Sequence, residues 1–300
     1  MDCLEKIKLI RSKQSPLIKI ISEDPGGSLF HTVSMYDPKQ DALITCASTQ
    51  IGCVEDCTFC ATGAFPFIRN LTIEEMKHQY TLGIGCLKKF QLKNHPAALC
   101  ILLEGMGEPT YNIKNSLIAF KEIYPDILYK FNRIIFRIST SGNIGFITEL
   151  KEIIRDNPEF VTNNYLQMQL SLHSPFDRER RWLMPSASAN HSIKEILSGL
   201  YPLCDLLGSK LICNYMLLDF PVDGCNYSID HLNEIIRLLD NKKVEIKLTT
   251  YSETSKNFIS PAPYIFEDIK SYFVEYGYKI KIKTLLGKDV QASCGMLHYQ

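Results

Sequence analysis

With 300 residues, 45% of them hydrophobic and 22% charged, the chain suits one large domain or two small ones, since α/β barrels often exceed ~150 residues as one unit. Lys plus Arg and Asp plus Glu both number 33, so overall charge directs the chain to neither a polyanion nor a membrane surface, and any nucleic-acid contact has to be a local patch. No run approaches the roughly 18 uninterrupted apolar residues of a membrane span, and MDCLEKIKLIRSKQ lacks the apolar stretch and cleavage site of a leader, so a cytoplasmic protein without membrane contact is expected.

In chain order, PLIKIIS (16–22) and LFHTVSMY (29–36), broken by Asp24-Pro25-Gly26-Gly27, predict two strands and a turn. With the arm before it, this small β unit is expected to form an N-terminal extension over 1–38. ALITCAS (42–48) reads as a buried strand and leads into a cysteine-bearing loop. Thr72 with Glu75 three residues later forms a capping box that opens a helix over 73–91. Further strands are predicted at AALCILLE (97–104), RIIFRIST (133–140), YLQMQLSLH (165–173), KLICNYMLLD (210–219) and VEIKLTTY (244–251). Amphipathic stretches near 113–123, 144–155, 192–207, 228–240 and 266–276 alternate with them. Six β/α units in succession predict an α/β fold, a partial (β/α)6 TIM-like barrel over 39–300. Chemistry in such folds gathers at the C-terminal ends of the strands. The cysteine loop, GMGEP (105–109), STSG (139–142) and SLHS (171–174) each occupy such an end.

The cysteine loop reads GCVEDCTFCATG (52–63), with Cys53, Cys57 and Cys60 spaced CxxxCxxC. Eleven cysteines, an odd count in a chain neither short nor visibly secreted, favour metal or thiol chemistry over a disulfide scaffold. Structural zinc wants four ligands, commonly as two CxxC pairs. Three thiolates suit a [4Fe–4S] cluster whose fourth iron stays open to a small molecule. On spacing alone, cluster, zinc and coincidental core cysteines all remain open.

CxxxCxxC with an aromatic before its last Cys, after the first barrel strand, resembles the radical S-adenosylmethionine (SAM) superfamily. TCASTQIGCVEDCTFCATGAFPFIRNLT, GMGEP, ISTSGN, LSLHSP with WLMP after it, YMLLDFPVDG and ASCGML resemble, in the same order, the RNA adenine methylases of the RlmN/Cfr family. The resemblance spans about residues 31–298; the family's N-terminal accessory domain corresponds here to at most a short arm. It implies a [4Fe–4S] cluster on Cys53, Cys57 and Cys60, with SAM bound at the open iron and cleaved to a 5′-deoxyadenosyl radical. It implies Cys294 as the methyl-carrying thiol and Cys46 as the resolving one, although Cys46 in an apolar strand is equally suited to a core. Gly107 and Glu108 would hold the methionyl ammonium, with Ser139, Ser171, Leu172, His173 and Asn257 as further SAM contacts. At Asn257 a local insertion makes Ser252 an alternative. Where the family carries a proton-accepting glutamate before a Thr-Val pair, this chain has His31-Thr32-Val33.

The implied partners are ribosomal or transfer RNA and an electron donor such as flavodoxin or ferredoxin, with the protein a monomer. Lys279, Lys281 and Lys283 on one strand face, and Arg178, Arg180 and Arg181 beside Trp182, are candidate phosphate contacts; a solvated edge strand and an ordinary charged helix explain them as well. The expected activity is methylation of an adenine carbon, carbon 2 first. The alternatives are an RlmN-like paralogue with another RNA or nucleotide substrate, and a zinc-stabilised RNA-binding module.

Overall fold

The computed structural model describes residues 6–162, 165–188, 191–254, 256–283, 286–293 and 295–297. Three antiparallel strands come first, β1 Lys6–Arg11, β2 Leu17–Glu23 and β3 Leu29–Asp37, and β3 pairs antiparallel with β4 Ala42–Ala47. A two-residue ribbon, β5 Gln50–Ile51 and β6 Arg69–Asn70, brackets the cysteine loop. The remaining strands, β7 Ala98–Leu103, β8 Arg133–Thr140, β9 Leu166–Ser171, β10 Leu211–Met216, β11 Val244–Thr249 and β12 Lys279–Lys283, run parallel to β4. The helices are α1 Ile73–Gly85, α2 Ile113–Ile127, α3 Ile147–Asp156, α4 Glu159–Thr162, α5 Asp177–Leu183, α6 Pro185–Ser188, α7 Ile193–Leu206, α8 Ile229–Leu238 and α9 Pro263–Glu275. The ten main strands form one sheet in the order β1-β2-β3-β4-β7-β8-β9-β10-β11-β12, which makes a partial (β/α)6 barrel with an antiparallel β extension. Among the described residues no helix is long and apolar enough to cross a membrane.

The strands carry the layering in their alternation. Along β4, Leu43 and Ala47 join the core between sheet and helices, while Ala42, Ile44 and Cys46 face the barrel interior. The helices answer with apolar stripes: in α2, Ile113, Leu117, Phe120 and Ile127 are buried on one side. The Thr72–Glu75 capping box forms as the sequence predicts, but α1 ends at Gly85 and continues as a short 3-10 turn over Cys86–Lys89. β1 is not among the strands the sequence predicts. KIKLIR lies mostly exposed and holds its place through pairing with β2 in full register.

Candidate active site

The cysteine loop leaves β5 through Gly52, whose φ of +75° and close approach to Pro66 exclude a side chain: a Cβ there would lie 2.1 Å from the Pro66 carbonyl oxygen. Within the loop the Cys60 N–H donates to the Cys57 carbonyl at 3.1 Å, and the Thr58 N–H reaches the Leu183 carbonyl at 2.9 Å. Phe59 anchors the loop from below, edge-on to His173 with centroids 5.3 Å apart, while the Tyr251 hydroxyl donates to the Phe59 carbonyl at 2.9 Å. Cys53, Cys57 and Cys60 line one wall of a cleft with about 940 Å³ of space, part of it open to solvent. Burial, followed by the charges of neighbouring thiols and of Glu55 and Glu108, pushes the thiols of Cys53 and Cys57 far up, so a bound cation is needed to hold them as thiolates. Glu55 sits on the same wall, 4% exposed, and its Oε2 has no hydrogen-bond partner among the described residues. Burial, with Glu108 and Asp56 nearby, raises its carboxyl to about 8.

The facing wall is made of strand ends. Gln50 ties the two walls together, its Oε1 accepting from the N–H groups of Val54 at 3.2 Å and Glu108 at 3.0 Å. Gly107, at φ +99°, passes so close that a Cβ would lie 2.6 Å from the Gln50 side chain. Glu108 is saturated: Oε1 accepts from the Thr110 N–H (3.3 Å) and hydroxyl (2.8 Å), and Oε2 from the Ser141 N–H (2.9 Å) and hydroxyl (2.8 Å). Ser139 accepts from Gln169 Nε2 at 2.8 Å, and the same amide reaches Glu104 at 3.0 Å. Glu104 in turn pairs with Lys247 (3.2 Å) and Lys283 (3.1 Å), and these cations outweigh burial to hold its carboxyl far below the usual range. His173, with φ +51°, accepts the Met216 N–H at Nδ1 (3.1 Å), which leaves the ring proton on Nε2. Burial lowers its pKa to about 3, so the ring is neutral at every physiological pH.

A third element closes the site from the far end of the chain. The Ala61 N–H donates to the Gly295 carbonyl at 2.8 Å, and the Thr62 hydroxyl to the Leu297 carbonyl at 2.6 Å. Ala292 and Leu297 pack with Cys46, Val33 and Met106 in one apolar cluster, and Gly295 lines the cleft beside the three cysteines. No family model matches the chain. A probable dual-specificity RNA methyltransferase RlmN of Thermotoga petrophila is 27% identical over 294 residues, which covers 97% of this chain and 79% of that protein. The dual-specificity RNA methyltransferase RlmN of Pseudomonas fluorescens is 28% identical over 309 residues, 98% of this chain and 76% of the other. The chain is similar to RlmN methyltransferases along almost its whole length. Its fold matches that of a solved structure, a radical SAM methyltransferase from Sphaerobacter thermophilus, with a TM-score of 0.83 at 24% identity, covering 98% of this chain and 81% of that one.

Against the RlmN pattern, the structure gathers Cys53, Cys57, Cys60, Gly107, Glu108, Ser139, Ser171 and His173 around one cleft. The Leu172 side chain instead lies in the core between sheet and helices, with its carbonyl accepting from Arg180. Asn257 is exposed and outside the cleft lining, while the nearby Ser252 is buried. Cys46 and His31 both face the barrel interior, in strands paired at Val33 and Cys46, and His31 is fully buried. Cys294 lies outside the described residues. The basic groups resolve differently from a phosphate patch. Lys279 and Lys281 pair with Glu245, and Lys283 with Glu104. Arg180 is buried, donating to the carbonyls of Ser171, Leu172 and Ser141; Arg178 and Arg181 are exposed.

The residues of the cleft fit a cluster and SAM. Three soft donors share one wall, and the Gly107 approach leaves the opposite wall open at the backbone. Among the described residues no three His, Cys, Asp or Glu side chains gather tightly enough to hold a single ion. A cubane cluster does not ask for that, because each thiolate binds a different iron. Sequence reasoning passed over Gln50, Glu55 and the Glu104–Lys247 pair, to none of which a motif assigns a role.

Proposed function

We propose that the protein is a radical SAM methyltransferase that methylates an adenine carbon, carbon 2, in ribosomal or transfer RNA through an S-methylcysteine. The observation that supports this reading is the docking of Ala292, Gly295 and Leu297, the described residues on either side of position 294, onto the cysteine loop and the apolar cluster of Cys46. When bound, the cluster supplies the electron that splits SAM into methionine and a 5′-deoxyadenosyl radical. Cys53, Cys57 and Cys60 hold it and leave one iron for the methionyl group. Gly107, Ser139, Ser171 and the neutral His173 line the SAM pocket, with Leu172 contributing main chain, Glu108 fixing the GMGEP turn and Asn257 at the outer rim.

Ring carbon 2 of adenine is too poor a nucleophile to take a methyl from SAM directly. Cys294 therefore accepts a methyl at sulfur, and hydrogen abstraction from that methyl gives a carbon radical that adds to the ring. The adduct radical gives up one electron, which the cluster would take back, and the ring carbon loses its proton to His31. The Cys46 thiolate then attacks the Cys294 sulfur and the S–CH2 bond breaks. The methylene carbon leaves with the electron pair and takes up a proton to become the methyl group, and Cys46 and Cys294 are left as a disulfide. An external donor, flavodoxin or ferredoxin, returns the enzyme to its reduced state; the protein acts in the cytoplasm as a monomer on units 1–38 and 39–300.

The test joins product to intermediate. Nucleoside mass spectrometry on RNA from cells with and without the gene should show a methyladenosine that depends on it, and Cys294→Ala should abolish that nucleoside. Cys46→Ala should accumulate a ribonuclease-trimmable, reductant-resistant protein–RNA adduct. Identical nucleoside profiles with and without the gene would overturn the reading.

A further inference from the structure

We propose that Trp182 is a stacking platform at the rim of the cleft for an unpaired RNA base next to the one being methylated. The inference rests on the RNA reading above and deepens it by one subsite. Trp182, the chain's single tryptophan, lies on α5 and is 44% exposed. Two rings from other loops fix its indole in place: Phe220 meets it edge-on with centroids 5.0 Å apart, and Phe258 at a tilt with centroids 5.5 Å apart. Phe258 also stands edge-on to Phe59 at 6.4 Å, and Phe59 lines the cleft beside the cysteines. A row of rings therefore runs from the cleft wall to the surface, and Trp182 ends it. The next residue fastens the platform to the cysteine loop, since the Leu183 carbonyl accepts from the Thr58 N–H at 2.9 Å and its hydroxyl at 3.3 Å, and Met184 then lines the cleft itself.

The chemistry of the target says what covers such a platform. A ring carbon of adenine is reached only when the base leaves its stack and enters the cleft, and that strips its neighbour of a stacking partner on one face. Aromatic side chains replace lost stacking for the unpaired bases of RNA, whatever the base. The charge on α5 suits the same occupant. Its two carboxylates are engaged with the protein: Asp177 accepts from the Ile193 N–H at 2.8 Å, and Glu179 meets the Ser174 hydroxyl at 2.7 Å and His231 at 2.8 Å. Arg178 and Arg181 remain exposed on that helix, beside the indole, and offer positive charge to the phosphates on either side of the stacked base. The buried Arg180 between them takes no part, being bound to the carbonyls of Ser171, Leu172 and Ser141.

Because Trp182 is the single tryptophan, indole emission of the reconstituted holoenzyme, measured relative to the RNA-free protein, reports the contact directly. The probes are two RNA hairpins with the same stem and the same number of loop phosphates. One loop is all adenosine; the other has a single adenosine between abasic riboses. The all-adenosine hairpin should quench the emission, and the abasic one should not. With fluorescently labelled hairpins read by anisotropy, Trp182→Ala should bind the all-adenosine loop about 5- to 100-fold more weakly than wild type and the abasic loop equally well. Trp182→Phe, which keeps a ring, should recover most of the loss. SAM affinity and iron and sulfide content should match wild type in both variants. Binding of the all-adenosine hairpin without quenching overturns the platform, as does wild-type affinity in Trp182→Ala or an equal loss on both hairpins. So does a Trp182→Ala protein that binds RNA normally but is reduced more slowly by flavodoxin and not by dithionite, which would give this surface to the electron donor. Failure of the wild-type holoenzyme to bind the all-adenosine hairpin overturns it too, whereas the RNA reading beneath it falls separately, on nucleoside profiles that do not depend on the gene.

Discussion

The two walls of the cleft are built on opposite terms. The strand-end wall is complete without a ligand: Glu108 holds four donors, Arg180 joins the ends of β8 and β9, and Ser139, Gln169, Glu104 and Lys247 form a continuous chain of polar contacts. The cysteine-loop wall is incomplete, with half-buried Cys53 and Cys57 whose thiols burial keeps protonated and a Glu55 oxygen without a hydrogen-bond partner among the described residues. The difference separates scaffold from receptor. Polar groups that are fully paired rigidify a fold, whereas unpaired ones cost stability until a ligand arrives.

The sharpest challenge to this division is Arg180→Met. The guanidinium is 1% exposed, and burial lowers its pKa to about 10, so it remains a cation near neutrality. Removing it strands three carbonyls and should cost the metal-free protein about 3 kcal/mol or more in urea unfolding. A loss under 1 kcal/mol would mean the strand-end wall is not held as described. Glu108→Gln should follow, at about 2 kcal/mol, because an amide NH2 would face donors from Thr110 or Ser141. A Glu108→Gln protein that unfolded like wild type would remove the contrast between the walls.

The smallest effect concerns the hinge between extension and loop. Arg69 bridges Asp24 at 2.6 Å and Glu75 at 2.7 Å. Burial opposes ionisation of both carboxyls, but the Arg69 hydrogen bonds and local N–H donors win and hold both below their ordinary 3.8 and 4.5. Depressed carboxylates contribute stability that is present above the unfolded values and lost as pH falls through the folded ones. Wild type should therefore weaken as pH drops below about 4.5, while Arg69→Met should start about 1 kcal/mol lower at neutral pH and depend less on acid, since Arg69 is partly exposed. Parallel acid-unfolding curves would remove Arg69 from the account.

Strands and helices were legible because burial imposes a period. VEIKLTTY and AALCILLE can hardly be anything but interior strands once they alternate with amphipathic helices, and the Thr72–Glu75 box sets a boundary through local hydrogen bonds alone. β1 was not legible, since KIKLIR gains little burial and exists through pairing that only the register with β2 supplies. The site divides the same way. Cys53, Cys57, Cys60, Gly107 and His173 announce themselves through spacing and order, but Arg180 within RERRW looks like surface charge, and nothing local says that it turns inward to three carbonyls. Glu55 was hidden for a related reason: an x in CxxxCxxC acquires meaning only when its environment proves to be dry.

The contact between Thr62 and Leu297 joins residues 235 apart. Closing so long a loop in a free chain would cost about 5 kcal/mol of entropy, but barrel formation draws the two segments together beforehand. A ribosome makes the three cysteines more than two hundred residues before Ala292, Gly295 and Leu297. Until that late segment docks, the loop and Cys46 are uncovered, so a nascent chain with a finished sheet still has an unfinished reaction chamber. Assembly order thus leaves the last wall of the chamber to a segment made after the sheet it closes.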